Sequence, residues 1–128
     1  MAALVYHGLT ILLGLTFVLA GYNHFRDPEF YLKIMPPYIP WHRAMVIISG
    51  VAEILGGLGV LIPQTRLWAG WGLMLLLIAV FPANIYSALE GINPVNPKAP
   101  GWVLWVRLPF QGVFMYWVWW VALRTRPL

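Results

Sequence analysis

The chain is 128 residues long, 61% hydrophobic and only 9% charged, with a formal net charge of +4. A soluble domain carries roughly a quarter of its residues charged, so this composition excludes a water-covered globule and points to an integral membrane protein, a single domain over residues 1–128. The basic residues sit singly at the ends of apolar runs, as interfacial anchors, and form no patch for nucleic acid; the lack of cysteine excludes thiol, disulfide and iron–sulfur chemistry within the chain.

The first apolar run predicts a spanning helix over residues 2–25. Met1 to Tyr6 lacks a basic n-region, and the run continues too far for a signal core, so the segment is expected to stay in the mature protein. Gly14, Ala20 and Gly21 give it a small-residue face that another helix can approach. Asp27-Pro28 ends it.

The next stretch, Arg26 to His42, holds four prolines and the aromatics Phe30, Tyr31, Tyr38 and Trp41. Pro28 to Ile34 suits a short helix with proline in its first turn. Met35-Pro36-Pro37-Tyr38-Ile39-Pro40 cannot be helical, because its prolines remove donors and enforce extended geometry. Such a segment fits an interfacial anchor; it also fits a lid over a cavity between helices.

The second span is expected over residues 41–62. Glu53 is its single carboxylate, and Gly50, Glu53 and Gly57 share one face. A lone acid in an apolar segment must be neutralised, paired or pointed into a wet cavity. Pro63 to Arg66 is a tight turn. The third span, residues 67–88, contains Pro82, expected to kink the helix and free a carbonyl near residue 78, and it carries Asn84 and Ser87 on one face. A proline-containing loop from Glu90 to Gly101 follows. The fourth span, residues 102–123, places Arg107 and Gln111 one turn apart, with tryptophans at both ends.

Short turns imply an antiparallel bundle of four transmembrane helices with a Pro-rich interfacial segment between the first two. Counted by helical rise from the end bearing the two Pro-rich loops, Glu53 is roughly 18 Å deep, Gln111 roughly 13 Å and Arg107 roughly 8 Å. Asn23 and His24 sit at the loop end of the first span. All four spans therefore give polar residues to the loop-side half, and the opposite half has almost none. The expectation is a polar-floored pocket opening to the loop end and roofed by Met35 to Pro40. Three readings stay open: a ligand pocket, a Glu53–Arg107 pair that only holds the bundle in register, and a short proton or ion path. No histidine arrangement suits a metal or a heme.

Asn23-His24-Phe25, Pro28 with Phe30, Met35 to Pro40, Ser49-Gly50 with Glu53-Ile54-Leu55-Gly56-Gly57, Ala69-Gly70, Phe81 to Tyr86 and Arg107 to Gln111 together resemble the DoxX-like family of small bacterial membrane proteins. The resemblance covers nearly the whole chain in the right order. It implies a multi-pass protein of the bacterial cytoplasmic membrane with cytoplasmic termini, a redox-associated role and a redox-enzyme partner. The family takes its name from subunits associated with thiosulfate:quinone oxidoreductase, while a distant animal branch assists receptor assembly. Thiol-using relatives do not carry over, since this chain has no cysteine.

The resulting expectation is a protein that binds a small amphiphile such as a quinone. His24, Glu53, Asn84, Arg107, Gln111, Asn23 and Tyr38 form the site, with no covalent cofactor and no metal. Any enzymatic role is that of an oxidoreductase subunit without thiols of its own. The alternative is a non-enzymatic scaffold or assembly factor, and a homo-oligomer is compatible with either. Lysine and arginine do not fix orientation: Arg26, Lys33, Arg43 and Lys98 at the loop end face Arg66, Arg124, Arg126 and the amino terminus at the other.

Overall fold

The computed structural model describes residues 2–92, 98 and 100–124, and among these no strand occurs. Helix α1 is Ala2–Arg26, α2 is Pro28–Leu32, α3 is His42–Leu61, α4 is Arg66–Glu90 and α5 is Trp102–Val118; α5 runs on into a π-helical turn, Trp119–Leu123. Three of them, α1, α3 and α4, are long and apolar enough to cross a membrane. Most of the loop after α4, including Pro94 and Pro97, and the terminal Arg126 lie outside the described residues.

Each boundary has a local cause. Pro28 opens α2, where its missing N–H costs nothing. Gly91 ends α4 in the left-handed conformation, φ 68°, which lacks a Cβ penalty only for glycine. The last carbonyls of α3 are satisfied by side chains of the following turn: the Thr65 hydroxyl donates to the Gly59 carbonyl at 2.7 Å, and Arg66 Nε donates to the Val60 carbonyl at 2.7 Å. Trp41, at the start of α3, has φ 52°, a left-handed conformation rare for a bulky side chain. The strain is held by the segment before it, where the His42 ring Nε2–H donates to the Pro36 carbonyl at 3.0 Å.

The α1–α3 contact is built on glycine. A Cβ added to Gly57 would sit 2.6 Å from the Gly14 carbonyl oxygen, and one added to Gly21 would sit 2.6 Å from that of Gly50. The two backbones therefore touch at points seven residues apart on each helix, which brings the loop end of α1 against the middle of α3. Helix α4 packs on α3, and α5 with its π turn packs on α4.

The apolar core is Leu13, Phe17, Val60, Leu73, Leu77, Val118 and Val121, drawn from α1, α3, α4, α5 and the π turn. It fills the half nearest the Pro63 turn. Large apolar side chains elsewhere face outward, among them Leu19, Leu55, Trp68, Leu75 and Trp102. So much exposed apolar surface is the mark of a chain that faces lipid.

The turn end is more polar than the sequence reading allows. Tyr6 OH donates to the Val121 carbonyl at 2.7 Å, Arg66 Nη1 donates to Tyr6 OH at 3.4 Å, and Thr10 Oγ1 donates to the Tyr6 carbonyl at 2.7 Å. With the bond from Arg66 to Val60, these contacts tie α1, α3, α4 and the π turn together. Sequence pattern alone placed Arg66 in a tight turn and gave Tyr6 no partner.

Candidate functional site

The loop-side half contains a cavity of about 130 Å³. Every helix reaches it: His24 from α1, Phe30 and Tyr31 from α2, Ser49 and Glu53 from α3, Asn84 from α4 and Arg107 from α5, with Ile34 and Met35 from the segment after α2. Its walls are part apolar and part polar, the usual mix of a small-molecule site.

His24 is buried, and its ring is stacked on Tyr31 with centroids 3.7 Å apart and planes 16° from parallel. Its Nδ1 lies 2.9 Å from the Ala20 carbonyl oxygen. A carbonyl only accepts, so Nδ1 carries the proton. Glu53 Oε2 lies 3.3 Å from the same nitrogen. One N–H thus faces two acceptors and bonds the nearer one. Glu53 Oε2 is left buried with no hydrogen-bond donor. An unsatisfied buried carboxylate oxygen is costly, and here it borders a cavity that can hold a donor.

Across the cavity, Arg107 Nη2 donates to Asn84 Oδ1 at 3.4 Å. Asn84 Nδ2 donates to Gln111 Oε1 at 2.8 Å, and Gln111 Nε2 donates to the Leu77 carbonyl. This chain of bonds joins α4 to α5. The Leu77 carbonyl is one residue from the carbonyl that Pro82 deprives of its donor, so Gln111 serves the weakened stretch of α4.

The Glu53–Arg107 ion pair, one of the readings that the sequence leaves open, is not formed. Glu53's neighbour is His24, and a second pair, Arg43–Glu29, lies at 3.4 Å on the exposed surface. The reason is geometric: Arg107 is held back by Asn84, and the cavity lies between the two walls.

Of the seven residues predicted for the site, His24, Glu53, Asn84 and Arg107 line the cavity. Gln111 sits behind Asn84. Asn23 sits behind Tyr31, its Nδ2 donating to Tyr31 OH at 3.1 Å. Tyr38 is outside the site, with 72% of its surface exposed. The roof is formed instead by Phe30, Tyr31, Ile34 and Met35, so only the start of the Met35–Pro40 stretch takes part. Burial pushes the Tyr31 hydroxyl above its usual value of 10.0, with the Asn23 bond pulling the other way, so Tyr31 is a neutral hydroxyl near pH 7.

Tyr31 and Ser49 are the residues that sequence reasoning missed. The available signal was the proline start of α2, which carries Tyr31; a turn bond from the Ile34 N–H to the Tyr31 carbonyl then keeps Ile34 one turn on.

No curated protein and no solved structure matches the chain. A family profile described as "Domain of unknown function (DUF8561)" matches residues 13–122, a stretch that contains every polar residue of the cavity. The chain belongs to that family.

Proposed function

We propose that this protein is a four-span antiparallel membrane bundle that binds a small amphiphile with a quinone-like head in the loop-side cavity, in association with a redox enzyme. The observation that carries the reading is the unpartnered Glu53 Oε2 facing a cavity whose other wall offers the Arg107 guanidinium. A strut would have closed these two groups on each other. Held apart, they complement a ligand that donates a hydrogen bond on one side and accepts one on the other, as ring hydroxyl and carbonyl groups do.

The size of the cavity supports a single ring. An apolar cavity of ~150 Å³ admits benzene, and this one measures about 130 Å³. Phe30, Ile34, Met35, Val46 and Val80 supply its apolar walls, so an aliphatic tail leaves toward lipid. The fourth span is α5 with its π turn, residues 102–123, roughly 33 Å of helix if the rise is ~1.5 Å per residue. The reversed order of the glycine contacts, Gly14 with Gly57 and Gly21 with Gly50, supports antiparallel packing. The resemblance to DoxX-like proteins supplies the redox context and the bacterial cytoplasmic membrane.

The second reading is a scaffold or assembly factor. The closed chain Arg107–Asn84–Gln111–Leu77 favours it, because those groups satisfy one another without a ligand.

Native mass spectrometry on gently purified protein, with a short-tailed hydroquinone, whose ring hydroxyls both donate and accept, as probe, separates the two. Binding by the parent, weakened about 10–100-fold in a folded Glu53→Gln, Arg107→Gln double variant, is the expected result, since each lost bond involves a charged group. A parent that takes no probe, with a double variant that unfolds at lower temperature, makes the cluster a strut and establishes the scaffold reading.

A further inference from the structure

All four acidic side chains of the protein, Asp27, Glu29, Glu53 and Glu90, belong to the loop-side half. The turn end carries Arg66 and Arg124 with no acidic side chain to balance them. Arg66 spends its donors on neutral acceptors, the Val60 carbonyl and Tyr6 OH. Arg124 lies over the Trp120 ring, its guanidinium carbon 4.8 Å from the centroid, and its Nε is buried without a hydrogen-bond partner. The rings between the two cations are themselves in contact: Tyr6 and Trp120 have centroids 5.7 Å apart, and Arg66 is 5.8 Å from the Tyr6 centroid. Two guanidinium groups therefore flank an aromatic pair at one rim of the bundle.

An apolar groove of about 310 Å³ leads away from that rim toward the middle of the bundle. Leu9, Val113, Tyr116, Trp117 and Trp120 line it. Its floor is fixed, because Trp117 Nε1 donates to the Leu9 carbonyl at 3.2 Å. Trp120 is common to both features: it closes the groove and carries Arg124.

From this continuity of charge and groove we infer that the turn end is a binding site for an anionic phospholipid, its phosphate at Arg124 and one acyl chain along the Leu9–Val113–Trp117 groove. Charge complementarity selects the headgroup: a zwitterionic lipid offers the same chain but cancels its phosphate charge locally, whereas an anionic one supplies negative charge to a rim that has no acidic side chain among the described residues. The rings of Trp120 and Tyr6 keep the cations at headgroup depth. The inference needs a membrane-embedded chain and is independent of what the loop-side cavity binds.

The test is native mass spectrometry of the full chain released from nanodiscs containing equal amounts of phosphatidylglycerol and phosphatidylcholine. The parent should retain phosphatidylglycerol about fivefold over phosphatidylcholine, the scale expected for one basic residue at a membrane surface. Arg124→Gln should bring retention to parity, and Arg124→Lys should keep the preference. Val113→Trp, which fills the groove and leaves the charges in place, should lose the retained lipid. Equal retention of both lipids by the parent, or a preference unchanged in Arg124→Gln, overturns the headgroup assignment. Displacement of the lipid by free glycerol phosphate, or full retention in Val113→Trp, overturns the groove.

Discussion

A single residue, Tyr31, decides whether the loop-side half holds a site or a gap. Its ring stacks on His24 and its hydroxyl is tied to Asn23, so it fixes the imidazole that stands beside Glu53. Tyr38, seven residues on, points away from the protein. Tyr31→Ala should therefore lower stability in detergent by at least about 0.5–1.5 kcal/mol through the lost ring pair, and it should widen the cavity. Tyr38→Ala should change stability by less than ~0.5 kcal/mol. Thermal unfolding of both variants checks the contrast, and an equal effect would mean that the roof is misassigned. The four polar cavity residues were legible in the sequence because an isolated polar group in an apolar helix has few tolerable places to go. Tyr31 and Tyr38 were not separable there. Both are tyrosines in an aromatic, proline-rich stretch, but Tyr31 lies on the five-residue helix α2 and stacks on His24, whereas Tyr38 lies beyond its end at Leu32 and is exposed. Glu53's neighbour stayed open for a related reason: helical depth compares residues along the membrane normal and says nothing of lateral distance.

At the scale of elements, the α1–α3 seam sets the register on which the site depends. Gly21 is three residues before His24, and Gly50 is three before Glu53. A Cβ on Gly21 would meet the Gly50 carbonyl at 2.6 Å and Ile54 Cγ1 at 2.7 Å, and the first of these is backbone that cannot swing aside. Gly21→Ala should cost about 1–3 kcal/mol, and it should shift His24 relative to Glu53. Gly72→Ala is the matched control. No heavy atom lies within 4 Å of its added Cβ, so the greater helix propensity of alanine should leave stability unchanged or raise it by up to ~1 kcal/mol. If both variants melt alike, close backbone approach is not what joins α1 to α3. The small residues of the seam were readable as a face; that α1 and α3 are partners was not, because any of the four apolar segments offers small residues. The π turn at the end of α5 was also hidden. Its Arg124 N–H bonds the Trp119 carbonyl, a one-residue widening with no proline or glycine to announce it.

For the whole molecule, charge and packing are distributed along one axis. The dry core and the arginine–aromatic rim occupy the turn end; the cavity, the acids and the proline-rich segment occupy the loop end. Composition was enough to place the chain in a membrane, but evenly divided basic residues left its orientation open, and among the described residues three helices meet the length and apolarity of a span by themselves. Helix α5 has 17 residues, and it becomes long enough to cross only if the π turn continues it. That continuation is what the Tyr6 bond to the Val121 carbonyl stabilises. The absence of native cysteine makes the number of crossings directly measurable. Tyr38→Cys marks the loop end, Gln64→Cys the turn end, and a cysteine appended after Leu128 marks the far side of α5. With a membrane-impermeant maleimide on sealed, oriented vesicles, four crossings put the appended cysteine on the same side as Gln64→Cys and opposite Tyr38→Cys. Three crossings put it with Tyr38→Cys. The same labels give orientation: cytoplasmic termini require the appended cysteine to be protected in intact cells while Tyr38→Cys reacts from outside. A four-crossing result with reactive termini would keep the bundle and invert it, so that the cavity opens to the cytoplasm and a ligand in it would meet a cytoplasmic partner.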